Sequence, residues 1–223
     1  MAEREGLSVS ITTKSNQVVR DIYLLRRIAA KSSLSVNLSI TTLRPRLARL
    51  LEPRAPRPDL RMDAIRQLRE AGIDAGVFAM PILPGLTDRA EDLDGLARAA
   101  RDAGARWFAG SVLFLMPSAL KIFLPFVQEK FPKLAGRYRE WYSRNAYAPE
   151  AYRKEMSTLF ADLRSKYGLG SRPYAPEAMA RSSPQLSLGL LDTNAGSAQL
   201  RSGATGRAKS GILERENLPS SDL

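Results

Sequence analysis

The side chains best suited to chemistry lie on two short stretches that alternate in character. In Leu7 to Thr13, apolar Leu7, Val9 and Ile11 interleave with Ser8, Ser10 and Thr12; in Leu34 to Thr42, Val36, Leu38 and Ile40 interleave with Ser35, Asn37, Ser39 and Thr41. A period of two is that of a strand with two different faces. Strands of a parallel sheet wrapped by helices are normally aliphatic on both faces, so hydroxyls and an amide on the second face either line a polar cavity and touch a ligand or lie against solvent. Lys14 continues the parity of Ser8, Ser10 and Thr12 just past the end of the first stretch, where ligands of open α/β sheets and barrels sit. An ammonium there meets a carboxylate or phosphate, or is an ordinary exposed lysine.

Composition removes most other chemistries. The 223 residues contain no Cys and no His, which excludes disulfides, Cys/His zinc sites, cysteine-ligated clusters, cysteine nucleophiles and histidine general bases within this chain. A formal net charge of +11 favours anionic partners such as nucleic acid or phosphorylated ligands. The start, Met1 to Gly6, is polar and charged, so no secretory signal is visible and a cytoplasmic protein is expected. The greasiest stretch, Ser111 to Val127, is interrupted by Pro117, Lys121 and Pro125 and falls short of the ~18 apolar residues of a membrane span. It reads as a buried strand followed by a helix.

The elements that must position the candidate residues follow from periodicity. Val18, Ile22, Leu25 and Ala29 recur at helical spacing and give a helix one apolar face. A short helix over Pro45 to Leu51, a Pro-rich turn from Pro53 to Pro58 and a helix over Leu60 to Ala71, ended by Gly72, come next. A third strand, Ile73 to Met80, runs into Pro81-Ile-Leu-Pro-Gly85, whose prolines deny further ladder bonds and whose glycine permits a tight turn. A helix over Arg89 to Ala103, ended by Gly104, leads to a fourth strand over Arg106 to Leu115. Strands alternating with helices predict an α/β fold, a parallel sheet of four strands with right-handed crossovers.

From Pro117 the pattern is helical only, over Ser118 to Lys130, Leu134 to Arg144 and Pro149 to Tyr167. After Tyr174 no aromatic residue occurs, and small and polar residues dominate through Leu223, so a disordered tail is expected. The predicted division is an α/β part over residues 1–116, a helical extension over 117–170 and the tail over 171–223.

The residues themselves resemble a known family. Ser8-Val-Ser-Ile-Thr-Thr-Lys-Ser15, Arg20-Asp21, Val36-Asn-Leu-Ser-Ile-Thr-Thr42, Leu51-Glu-Pro-Arg-Ala-Pro56, Arg61, Ala64-Ile-Arg66, Ala71-Gly-Ile73 and Pro81-Ile-Leu-Pro-Gly-Leu-Thr-Asp88 stand in the order and spacing of radical S-adenosylmethionine (radical SAM) proteins related to spore photoproduct lyase. The resemblance runs from about Leu7 to Tyr167. It implies a partial (β/α)₆ barrel in which three cysteines near the first strand bind a [4Fe–4S] cluster that chelates S-adenosylmethionine. Residues 1–116 then correspond to the C-terminal half of that barrel, beginning at its third strand.

By the family pattern, Lys14 pairs with the methionine carboxylate, and Ser39, with Asn37 beside it, contacts the methionine or ribose. Met80 to Leu86, with Pro81, Pro84 and Gly85, borders the adenine, and main-chain groups around Ser111 to Leu113 complete that pocket; turn chemistry alone also explains the two prolines and the glycine. The cysteine triad and the acidic motif after the second strand are both absent. The chain is therefore expected to contribute S-adenosylmethionine binding, to be inactive alone, and either to need an N-terminal half or to self-associate through the edge that Leu7 to Thr13 exposes.

Weaker signals remain. Arg54 and Arg61 flank the Pro-rich turn and either hold phosphate or tie that turn to a helix end. Trp107, Trp141, Tyr138, Tyr142 and Tyr147, with Arg137, Arg139 and Arg144, either form a stacking surface for nucleic acid or pack a core. The rival reading is a non-enzymatic basic module that binds nucleic acid with steep salt dependence. An unrelated phosphate-binding α/β enzyme lacks support, because no Gly-rich loop follows any strand.

Overall fold

The computed structural model describes residues 7–171; the tail expected beyond them lies outside the described residues. Four strands, β1 (Ser8–Thr13), β2 (Ser33–Ser39), β3 (Asp74–Ile82) and β4 (Phe108–Val112), form one sheet in the order β1-β2-β3-β4. Every neighbouring pair is parallel, so the chain must cross back between strands. It does so through α1 (Ile22–Ala29), α2 (Pro45–Leu51) with α3 (Pro58–Glu70), and α4 (Ala90–Asp102). The helices bury the aliphatic parity of the strands: Val36, Leu38, Ile40, Ala75, Val77, Ala79 and Phe108 share one core with Leu25, Met62, Ile65, Leu68, Leu93, Leu96 and Ala97.

α3 illustrates the local logic. Pro58 occupies the first turn, where its missing N–H costs nothing, and Asp59 faces the positive end of the helix. Met62, Ile65 and Leu68, spaced by three, are all buried, each worth roughly 2 kcal/mol of burial.

Three further helices follow, α5 (Pro117–Lys130), α6 (Pro132–Tyr142) and α7 (Glu150–Tyr167). α7 inserts Met156, Phe160 and Leu163 into the sheet's own core, with Phe160 stacked on Phe108 at 4.8 Å between ring centres. Asp94 of α4 accepts from Lys166 Nζ at 2.6 Å and Tyr167 Oη at 2.9 Å, and those bonds hold its carboxyl below the usual range. α5 and α6 build a second cluster, in which Val127, Tyr138 and Tyr142 pack with Leu83, Leu86, Leu113 and Leu115. Among the described residues no helix is long and apolar enough to cross a membrane.

Strand ends differ from the periodicity in instructive ways. β2 stops at Ser39, not Thr42, because the Thr42 hydroxyl accepts from Arg44 N at 3.1 Å and turns the chain. β3 continues through Pro81 to Ile82, past the expected end at Met80, because a register shift between Ala79 and Ile82 accommodates the proline. β4 covers only Phe108–Val112 of the expected 106–115: Leu113 still donates to Ile82 O, but Leu115 N turns to Ala146 O. The helix expected from Val18 begins as a 3₁₀ turn over Asn16–Asp21, capped by Ser15 on Gln17 N, and Ala29, expected on the apolar face, is exposed.

Candidate functional site

Parallel strands send all their C-terminal ends to one rim, and there the chain encloses a cleft of about 630 Å³. Lys14 follows β1, Thr41 follows β2, Pro81 and Leu83 come from the end of β3, and Leu113 follows β4. One wall is Leu50, Leu51 and Pro53 at the end of α2; the other is Ala119, Ile122, Phe123 and Phe126 of α5. The cleft is therefore apolar and aromatic over most of its lining, with Lys14 and Glu52 as its charged side chains.

The charged part of the lining belongs to a relay of three side chains. Lys14 Nζ lies 2.9 Å from Glu52 Oε1, and Arg61 Nη1 lies 2.7 Å from Glu52 Oε2. The Arg61 guanidinium, only 2% exposed, donates from Nη1 to Ser39 O and from Nε to Pro56 O, both at 2.8 Å. Its contact with Glu52 is thus an ion pair outside hydrogen-bond alignment. Arg61 ties the Pro-rich turn and the end of β2 to α3, which is the structural one of its two expected roles. The Lys14 side chain is 49% exposed and that of Glu52 10%, so the lysine faces the cleft over a largely buried carboxylate. Two cations against one carboxylate leave this cluster with an uncompensated positive charge at Lys14, suited to a ligand carboxylate or phosphate.

The loop after β3 is held from below. The Met80–Pro81 peptide is cis, and Gly85 adopts φ +77°, a left-handed turn that favours glycine. Asp88 accepts from Gly85 N at 2.8 Å and Tyr152 Oη at 2.7 Å, Thr87 Oγ1 accepts from Leu83 N, and Tyr138 Oη donates to Pro84 O at 3.0 Å. Arg44 also donates to Leu86 O. Burial pushes the Tyr138 phenol well above its ordinary range; burial, then the bond to Asp88, does the same for Tyr152, and burial takes Tyr142 up to about 12.

The polar face of the sheet behaves differently below the rim. Asn37 is fully buried; its Nδ2 donates to Ser10 Oγ, Ile11 O and Thr12 Oγ1, and its Oδ1 accepts from Trp107 Nε1 at 3.0 Å. Trp107 reaches Asn37 by lying across Gly76, where any Cβ would stand inside the indole ring. The Ser10, Thr12 and Ser35 hydroxyls and the Asn37 amide thus bond one another, and Asn37 also takes a tryptophan from beside the opposite edge strand.

Of the six residues singled out from sequence, Lys14 and Pro81 line the cleft. Ser39 is buried beside it with its carbonyl on Arg61, Pro84 is buried with its carbonyl on Tyr138, Gly85 is exposed on the turn, and Asn37 is inside the sheet. Leu113, from the expected adenine-side segment, reaches the cleft as well. Sequence reasoning named Thr41 only as part of the polar strand face and did not single out Glu52 or the aromatic wall Phe123 and Phe126; the spacing of Glu52 and Arg61 around the prolines was the available signal. The aromatic surface expected for nucleic acid is largely core, since Trp107, Tyr138 and Tyr142 are at most 2% exposed. Trp141 packs on Tyr152 beneath Arg137, and Tyr147 is half-exposed against Phe114.

The family's cluster does not fit this chain's residues. It requires thiolates; the sequence has none, and among the described residues no three His, Cys, Asp or Glu side chains converge.

Residues 1–100 match the family model of the radical SAM superfamily. The uncharacterized protein Rv2578c of Mycobacterium tuberculosis is 36% identical over 177 residues, which cover 78% of this chain and 52% of that protein. Uncharacterized protein MJ0683 of Methanocaldococcus jannaschii is 39% identical over 80 residues, 36% of this chain and 30% of that one. The chain spans about half the length of the mycobacterial relatives it matches. A spore photoproduct lyase variant with bound AdoMet and dinucleoside spore photoproduct superposes with a TM-score of 0.53 at 16% identity, over 74% of this chain and 49% of that one; another variant gives 0.52 at 17%. The first 100 residues thus match the radical SAM superfamily model, and the four parallel strands form a partial barrel with the fold of spore photoproduct lyase.

Proposed function

We propose that this chain binds S-adenosylmethionine in the rim cleft and serves as the cluster-free part of a radical SAM system. The observation that carries the reading is Lys14: an ammonium left with surplus charge in a largely apolar and aromatic cleft. Its charge suits the methionine carboxylate. The apolar lining from Pro81, Leu83 and Leu113 suits the nucleoside, with Ser39 beside the cleft on the methionine side; Asn37, Pro84 and Gly85, also expected at the ligand, do not line the cleft. When bound to a cluster, S-adenosylmethionine supplies a carbon radical; this chain alone supplies no thiolates and is inactive in that chemistry. Cluster cysteines come from another polypeptide or segment, which we expect to pair along β1. Among the described residues β1 pairs on one side only, and Tyr23 and Leu24 of α1, the helix that follows it, are 71% and 49% exposed.

Calorimetric titration with S-adenosylhomocysteine, a stable stand-in, tests the reading. Binding that Lys14→Ala weakens at least tenfold supports it, and no binding by the unaltered chain ends it. The net charge of +11 favours a second element, a nucleic-acid substrate or partner; affinity for DNA that falls steeply with salt and ignores S-adenosylhomocysteine would leave only a basic binding module.

A further inference from the structure

β4 is the second edge of the sheet, and among the described residues only its middle is left open. At its start Trp107 pairs in parallel with Gly170, and Phe108 N donates to Gly170 O; just past its end Phe114 pairs antiparallel with Tyr147, and Leu115 N donates to Ala146 O. Phe108 N points outward and Leu113 N points back to Ile82 O, so by alternation the N–H and C=O groups of Gly110 and Val112 face away from β3. No described strand takes them. Phe108–Val112 contains neither charge nor proline, the usual means of blunting an edge.

A groove of about 260 Å³ follows this stretch between β4 and α7, smaller than the roughly 300–1,000 Å³ of small-molecule pockets. Its lining includes apolar Val112, Met156 and Phe160, the hydroxyl of Ser157, and Arg153 and Arg164. The two arginines stand about 16 Å apart along α7 at ~1.5 Å per residue, close to the ~13 Å from Gly110 to Phe114 at ~3.3 Å per residue. No acid lines the groove. Arg153 donates to Ala148 O and covers the Tyr147 ring, and among the described residues neither it nor Arg164 pairs with a carboxylate. Ile82 and Val112 line this groove whereas Pro81, Leu83 and Leu113 line the rim cleft, so the two sites lie on opposite faces of the same strand ends.

We propose that this groove takes an extended acidic segment of a partner protein, which adds to β4 as a short strand and sets carboxylates on Arg153 and Arg164. The alternating donors and acceptors of the open edge match another peptide backbone; a phosphate chain brings acceptors only and would face the Gly110 and Val112 carbonyls unpaired. Charge then selects among peptides. The chain's own residues 172–181 include Arg172 and Arg181 against Glu177, and a second copy would bring the same arginine pair, so both have the wrong sign for the groove.

The test adds three acetylated and amidated hexapeptides to the full chain: alternating valine and threonine between two aspartates, the same core between two lysines, and the aspartate peptide with its core amides N-methylated. By calorimetry the aspartate peptide should bind about tenfold or more tighter than either of the others, since one lacks the ion pairs and the other the ladder donors. Its binding should slow hydrogen exchange at the Gly110 and Val112 amides. Arg153→Gln and Arg164→Gln should each weaken it roughly fivefold, the scale of a partly exposed ion pair. Absence of binding would overturn the proposal, as would equal affinity for the aspartate and N-methylated peptides, which marks mere adhesion to a basic chain, or binding that leaves exchange at Gly110 and Val112 unchanged. Protection of those two amides in the dilute chain without peptide would give the edge to the chain's own residues, and protection that grows with protein concentration would give it to a second copy; either result rejects the acidic partner.

Discussion

The inner face of the sheet and its C-terminal rim are built from similar polar residues and end in opposite states. At Asn37 every side-chain polar atom is consumed, with four bonds to Ser10, Ile11, Thr12 and Trp107 in a site with no exposure. At the rim, Lys14 remains half-exposed above Glu52 and retains surplus charge. Polar groups that saturate one another inside a low-dielectric core specify structure; polar groups whose partners are fixed from behind, as Arg61 fixes Glu52, stay available to a ligand. The two regions should therefore separate cleanly into stability and binding.

The largest effect expected is for Arg61→Met, which belongs to the rim but acts from behind it. It strips two carbonyls of their donor and leaves Glu52 without its buried cation, a loss of about 3–5 kcal/mol measurable as a lower urea midpoint. A change below ~1 kcal/mol would mean that the relay is ornamental to the fold.

Alkaline pH sharpens the comparison by attacking the hydroxyls that support the rim, Tyr138 and Tyr152 under the loop after β3 and Tyr142 on Leu113 O. The folded state holds the Tyr138, Tyr142 and Tyr152 phenols above their ordinary value of 10.0. Their contribution to stability is thus complete below pH 10 and is lost as pH rises, because the unfolded chain releases protons that the folded chain keeps. For Tyr142 the window runs from about 10 to about 12, roughly 3 kcal/mol at ~1.4 kcal/mol per unit. Melting temperatures that stay level from pH 9 to 11 would contradict this.

Trp107→Phe should cost about 2 kcal/mol by leaving Asn37 Oδ1 without its donor, with S-adenosylhomocysteine affinity unchanged. Loss of binding there would dissolve the distinction between face and rim. The smallest stability effect is expected for Lys14→Ala, below ~1 kcal/mol as for other half-exposed ion pairs, although it should remove most ligand affinity. A midpoint shift as large as that of Arg61→Met would make Lys14 a structural residue.

The sheet was legible in the sequence because alternation at Leu7 to Thr13 and Leu34 to Thr42 and the intervening helical spacings are local. The element ends were less so, since the stop at Ser39 depends on the Thr42 turn and the stop at Val112 on Ala146, a residue far along the chain. The same limit applies to the site. The end of β1 identified Lys14, but its partner Glu52 comes from the end of α2, and Asn37 is claimed by a tryptophan 70 residues away. No periodicity encodes such a meeting. The motif order from Ser8 to Asp88 carried the family, and only packing revealed which polar residues were already spoken for.

Trp107 also gives the molecule an internal optical reporter. The chain has two tryptophans: one sealed in the sheet at 1% exposure with its indole N–H bonded to Asn37, the other, Trp141, half-buried beside Tyr152 under the Arg137 guanidinium. Their emission should differ in colour, the sealed indole bluer and less accessible to iodide or acrylamide. Because Trp107 begins the run into β4 and grips β2 across β3, its quenching records whether those three strands are docked, while Trp141 records the seating of α6 against α7. Fluorescence from each single-tryptophan variant would thus time the closing of the sheet and the arrival of its helical cover as separate events in one unfolding experiment.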